Sequence, residues 1–150
     1  MEIQEVVYTN AANQATLALI TDVGAEFEAP VVELFTNNVT PGPGMVIGDF
    51  TLADNTVFPG YAASSAVTWS ADAYSFDGKN ILIGSQKTFI ASSDPPAPIS
   101  VYGFILRKAA AGALVQAVLF PEPILIEEAG DYVTANPFLT AGPQEITVVI

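Results

Sequence analysis

The chain reads as a mainly β protein, an antiparallel β-sandwich or jelly roll of about eight strands with one short N-terminal helix, and three observations predict this. Short runs rich in Val, Ile, Thr, Tyr and Phe recur along the whole length, broken by clusters of Gly, Pro, Asn and Asp at regular spacing. The longest such stretch, residues 99–126 (ISVYGFILRKAAAGALVQAVLFPEPILI), is apolar on both faces of an extended chain, as a strand pair in the middle of a packed sheet must be. The length, 150 residues, suits a single domain spanning 1–150, which can bury a sizeable core without disulfides, and the sequence has no cysteine to form any.

Taken in order, Ile3–Tyr8 reads as a first short strand. Residues 9–22 then become rich in Ala, Leu and Gln; Thr9 or Asn10 can cap a helix with Leu17 and Ile20 on one face, and Gly24 can end it. Val31–Phe35 is the next strand, followed by residues 37–48 (NNVTPGPGMVIG), where Pro41, Gly42, Pro43 and Gly44 exclude regular structure. A connection of that length predicts an exposed arm that reaches a neighbouring subunit. Residues 50–55 predict a helical turn before Pro59, Gly60 and Tyr61. Residues 65–70 predict a strand with Val67 and Trp69 on one face, extended or followed by 71–76. Asp77 and Gly78 supply a tight hairpin turn with 81–83 as the returning arm, and 87–91 continues the sheet.

A rigid loop at 94–98 (DPPAP) leads into the central hairpin. In its first arm Ile99, Val101, Gly103 and Ile105 alternate with Tyr102, Phe104 and Leu106. After a turn at 108–112, the second arm places Leu114, Val118 and Phe120 on one face and Val115, Ala117 and Leu119 on the other, and Pro121 and Pro123 stop it. A buried helix is the rival reading, but the β-branched and aromatic residues of the first arm favour strands. Strands at 124–127 and 132–134 follow, with turns at 129–131 and 141–143. The final strand, 145–150, has Ile146, Val148 and Ile150 on one face. Unpaired, it would expose an apolar row and free backbone donors, so it is expected to pair within its own sheet or with an adjacent protomer.

Sixteen acids against four bases give a formal charge of −12, and the bases, Lys79, Lys87, Arg107 and Lys108, all follow residue 78. A nucleic-acid binder needs clustered Lys and Arg to displace counterions, so DNA, RNA and anionic membrane surfaces are poor partners. Yet only 13% of residues are charged and the mean hydropathy is +0.43. This excludes a disordered acidic tail and leaves few charges to cover a monomer, which points to apolar surface reserved for other subunits. No signal peptide or membrane span is expected: the 17–20 run follows Glu2 and Glu5, and 109–121 is too short to cross a bilayer.

There is no histidine, so no serine has an imidazole to take its proton, and no thiolate is available. Carboxylate pairs of the glycosidase kind could be drawn from Asp72 with Asp77, or from Glu127, Glu128 and Asp131, but each set lies at a turn or strand end, where acids serve solubility and turn geometry. No enzymatic role is expected. Calcium would be the metal best suited to this oxygen-rich chain, but no Asp-x-Asp-x-Asp-Gly loop is present, and Glu26 and Glu28 are spaced as one solvated strand face. No metal or cofactor is therefore expected. Tyr61, Trp69 and Tyr74 are candidate ligand residues, as a stacking platform for a sugar; the competing role for aromatics in an all-β chain is core packing.

The pieces LALITDV, VVELFTNNVTPGP, DFTLADNTVFPGYAASSAVTW, FDGKN, VYGFILRKAAAGALVQAVLF and the 128–136 turn and strand, in that order, cover most of the chain. Together they resemble a group of small bacteriophage and prophage virion proteins. The LFTNN loop, the GYA before the tryptophan segment and the VYGF hairpin are the more specific parts, and none is a catalytic signature. The resemblance implies a virion structural protein, as decoration, minor capsid or tail-associated component, and assigns no site residues. Many relatives would have a polar or Asp-containing turn in the central hairpin where this chain has Arg107 and Lys108, so a partner contact there does not carry over. The expectation is a decoration or cement protein on the outside of a capsid. Its partner would be the major capsid protein or another virion protein, and it would be a homo-oligomer, with three copies the expected number. A tail or fibre component is the competing structural role, and a carbohydrate-binding module the competing role of another class.

Overall fold

The computed structural model describes residues 3–8, 30–63, 67–68, 74–76, 79–108, 114–140 and 145–149, and among them the central hairpin forms as expected. Strand β6 (Ile99–Arg107) pairs antiparallel with β7 (Leu114–Ile126). β2 (Val31–Phe35) pairs with the other edge of β6, β1 (Ile3–Tyr8) with the other edge of β7, and β10 (Glu145–Val149) with β1. The result is a five-stranded antiparallel sheet in the order β10-β1-β7-β6-β2. The last strand thus pairs within its own chain, through Val6 opposite Ile146 and Glu5 opposite Thr147.

Two features of the hairpin differ from the sequence reading. First, β7 does not stop at Phe120 but runs through Pro121 and Pro123 to Ile126, absorbing the separate strand expected at 124–127. Proline lacks a ladder donor but is compatible with extended backbone, so the strand continues while the pairing skips. Val101 lies opposite Ile124 and Gly103 opposite Leu119, which leaves 120–123 as an outward bulge with Pro121, Glu122 and Pro123 exposed. Second, the alternation slips at this bulge and again between Leu106 and Arg107. Val101, Phe104, Leu106, Val115, Val118 and Phe120 share one core, whereas Tyr102, Ile105, Leu114, Ala117 and Leu119 share another. A strict period of two puts Val101 with Ile105 and Leu114 with Val118; each slip inverts the alternation for the residues beyond it.

The other strands form two smaller antiparallel sheets. β3 (Tyr74–Phe76), β4 (Lys79–Ile83) and β9 (Phe138–Thr140) form a sheet in the order β3-β4-β9, and β5 (Lys87–Ile90) pairs with β8 (Tyr132–Ala135). The β3 and β4 register, Phe76 opposite Lys79, is that of a two-residue hairpin; the Asp77 and Gly78 turn lies outside the described residues. Between β4–β9 and β5–β8 the pairing is bridged by Gly84 N–H donating to Pro137 O at 2.8 Å, and beyond β5 the Ala91 N–H donates to Asp131 O at 2.8 Å. Residues 81–91 therefore run along 130–140 as one antiparallel ribbon, with 84–86 facing 136–137 across a one-residue slip. β9 was not anticipated.

The main core draws Val32, Leu34, Phe104 and Val118 from the five-stranded sheet and Phe89, Val133 and Phe138 from the ribbon, together with Phe58 and Tyr61. Gln116, fully buried in β7, crosses the same space, its Nε2 donating to Phe138 O at 2.6 Å. On the opposite face of the sheet, Phe35, Ile105, Leu114 and Ala117 are covered by Val39, Met45, Ile47, Phe50 and Leu52. The expected contact arm is thus a strap that folds back over its own sheet. Its ends are held together by Asn37, whose Oδ1 accepts from Thr51 N–H at 2.7 Å while its Nδ2 donates to Asp49 O at 3.0 Å. This is the geometry of an Ω-loop, closed at its neck and packed by its own apolar side chains.

The helical turn expected at 50–55 is displaced: a 3-10 turn forms earlier, at Ile47–Asp49, Leu52 bridges Phe35, and one helical turn follows at 54–58. Asp54 caps that later turn: Phe58 N–H donates to Asp54 O at 2.9 Å, while Asp54 Oδ1 accepts from Thr56 N–H at 2.8 Å and Val57 N–H at 3.2 Å. In the strand expected at 65–70, residues 67 and 68 are described and lie outside any strand, although Ser85 N–H donates to Thr68 O at 2.8 Å. The helix expected over 9–22, the extension at 71–73, most of the turn at 108–112, the turn at 141–143 and Ile150 lie outside the described residues.

Candidate functional site

Of the three aromatic candidates, Tyr61 is fixed in the core. Its ring packs against Phe89 (centroids 5.3 Å apart, near parallel) and Phe58 (5.7 Å), and its hydroxyl accepts from Leu34 N–H at 3.0 Å. That bond has a structural logic. β2 is an edge strand whose outward groups would be open to a foreign strand. Instead Leu34 N–H meets the Tyr61 hydroxyl, Leu34 O accepts from Ala53 N–H at 2.8 Å, and Thr36 N–H donates to Thr51 O at 2.8 Å. Burial pushes the Tyr61 hydroxyl up to about 12, the neighbouring Glu33 carboxylate adding to the effect against the Leu34 hydrogen bond. Glu33 itself pairs with Arg107 across β2 and β6, Oε2 to Nε at 2.6 Å, both side chains mostly buried. Trp69 lies outside the described residues, and Tyr74 opens β3.

Of the described acids considered for chemistry, Asp131 builds the turn that carries Glu127 and Glu128. Asp131 Oδ2 accepts from the N–H groups of Glu127 (2.8 Å) and Glu128 (3.1 Å), and these bonds lower its pKa. Asp94 Oδ1 accepts from Ala129 N–H at 2.9 Å. Asp72, Asp77, Glu26 and Glu28 lie outside the described residues. Among the described residues no cluster of His, Cys, Asp or Glu could hold a metal ion.

The described surface carries an exposed apolar pair on the β5–β8 ribbon. In the β5–β8 ribbon, Phe89 and Val133 point into the core, so their neighbours point out. Ile90 and Tyr132 lie directly opposite each other and are 57% and 62% exposed. Beside them Thr88 and Thr134 form the next outward pair, their hydroxyl oxygens 3.5 Å apart. Sequence reasoning missed this face. Its signal was the period of two in KTFIA and YVTA, which becomes readable only once the partner strand and register are known.

Comparison of the chain with protein families, with curated proteins and with solved structures found no match.

Proposed function

We propose that the chain is a virion structural protein of the antiparallel β-sandwich or jelly-roll kind, acting as a decoration or cement protein on the outer surface of a bacteriophage capsid. The observation that carries the reading is that Ile90 and Tyr132, among the exposed large hydrophobic residues described, lie directly opposite each other on paired strands. A large aliphatic and a large aromatic side chain side by side in solvent suit a protein that works by contact. Asp54, Asp94 and Asp131 hold turns through their carboxylates and Glu33 pairs with Arg107, which fits a role without catalysis. The charge of −12 supports the outside of the shell, because the same charge facing packaged DNA would be repelled, whereas outside it keeps particles dispersed. The sequence resemblance supports the same class. In this reading the partner is the major capsid protein or another virion protein, the protein is a homo-oligomer of three copies, and it resides in the virion with no cofactor.

The test is quantitative composition of purified particles together with imaging of the density. Copy number close to that of the capsid protein is expected; a small minority of that number would favour a tail or fibre component. Light scattering of the purified chain reads the oligomer directly. Glycan binding that disappears with Trp69→Ala would replace the reading with a carbohydrate-binding module.

A further inference from the structure

We propose that the outward face of the β5–β8 ribbon is the docking surface, and that its occupant is a protein surface in which an apolar site stands beside Lys or Arg side chains, not a second copy of this chain. The inference rests on the virion reading for the identity of the occupant, the shell protein, and on the ribbon itself for its chemistry. Ile90 and Tyr132 supply the apolar centre, with Thr88 and Thr134 continuing the face. Immediately beyond Ile90 the ribbon closes through Gly130 N–H donating to Ala91 O at 2.9 Å. That closure brings the 127–131 turn to the end of the apolar pair. The turn carries Glu127, Glu128 and Asp131, and Asp94 is tied to it through Ala129 N–H, so four carboxylates border one end of the face.

Charge decides between the possible occupants. Two copies meeting through this face would set these carboxylates against a face without a cation, since Lys87, the one described cation of the ribbon, alternates with Thr88 onto the Phe89 side. A surface carrying basic side chains beside an apolar pocket gains from the same carboxylates, which steer the encounter and fix its orientation. The aromatic and the aliphatic residue then serve as the anchors that hold the complex once formed.

The experiment uses particles assembled by the genome that encodes the chain, with benzoylphenylalanine in place of Tyr132 as a photo-crosslinker. In parallel, occupancy of Ile90→Thr, Tyr132→Ala and the double variant Glu127→Lys/Glu128→Lys is measured in competition with the parent chain. Because all four side chains are exposed, the variants should melt with the parent. Expected are a crosslink from position 132 to another virion protein at a Lys- or Arg-containing segment, and occupancy lowered roughly tenfold by each variant. Glu122→Lys, on the distant β7 bulge, should leave occupancy unchanged. A crosslink to a second copy, or full occupancy by Tyr132→Ala and Ile90→Thr, would overturn the docking surface while leaving the virion reading intact. Absence of the chain from purified particles would overturn the virion reading, and this inference with it.

Discussion

Gly103→Ala tests the packing of the sheet at its tightest point. A β-carbon added to Gly103 would lie 2.0 Å from Val118 O and 2.7 and 2.8 Å from Cζ and Cε1 of Phe35. Neither neighbour has room to yield. Val118 belongs to β7, with Phe104 opposite it on β6 and Val6 on β1, and Phe35 is fully buried with its ring 5.0 Å from that of Phe50. Overpacking of an ordinary core site destabilises by about 1–3 kcal/mol, and a clash with backbone belongs at the upper end or beyond. Against this, replacing a strand glycine lowers the entropy of the unfolded chain by about 0.4–1 kcal/mol. The net expectation is a loss of about 2 kcal/mol or more, which for a domain of this size lowers the Tm by roughly 4–8 °C. Differential scanning calorimetry reads the shift. Adding Phe35→Leu should restore only part of it, because the contact with Val118 O remains. A Tm equal to or above that of the parent would refute the close approach of β2, β6 and β7 at this point.

Phe104→Ala, which removes a fully buried ring 6.1 Å from that of Phe120, should destabilise by about 3–5 kcal/mol in chemical denaturation. Gln116→Leu preserves volume but removes the donor to Phe138 O, and about 1–3 kcal/mol should be lost in the same assay. Because folding raises the Tyr61 hydroxyl to about 12 from the ordinary value near 10, the folded state binds that proton more tightly. The associated stability is complete below pH of about 10 and declines as pH rises toward about 12, so Tyr61→Phe should show a shallower alkaline decline than the parent, measured by denaturation across that range. Deleting residues 146–150 strips most of β10 and bares the edge of β1; sedimentation should show aggregation, and a soluble, folded truncation would show the strand dispensable.

The strands that were legible in sequence are those whose identity is local. β1, β2, β5, β6, β8 and β10 carry β-branched and aromatic residues between turn signals, and no partner is needed to see them. Which face each residue takes was less legible, because it depends on register. The slips at Tyr102 and between Leu106 and Arg107 are properties of the β6–β7 pair and leave no mark in either strand alone. Residues 37–48 read as an arm because proline and glycine announce irregular backbone but not its direction. Their apolar members, Val39, Met45 and Ile47, are what bend the loop back onto Phe35 and Ile105. The LFTNN run gains a physical role there, since Asn37 closes the neck. For the site, Tyr61 took the packing role that was weighed against ligand stacking, and the Ile90 and Tyr132 face emerged only when β5 and β8 were placed side by side.

The position of β1 between β7 and β10 has a consequence for how the chain reaches this structure. The β6–β7 hairpin closes over a short connection, and β2 adds to it from a moderate distance along the sequence. β1 is made before either of its neighbours, and both come from the far side of the sequence, so its slot opens only after most of the chain exists. Closing such long loops demands the most chain entropy and slows assembly. During synthesis the IQEVVY segment therefore lacks both of its partner strands until most of the chain has been made. Its Glu5 gives that segment one of the charges that discourage premature association with another nascent chain.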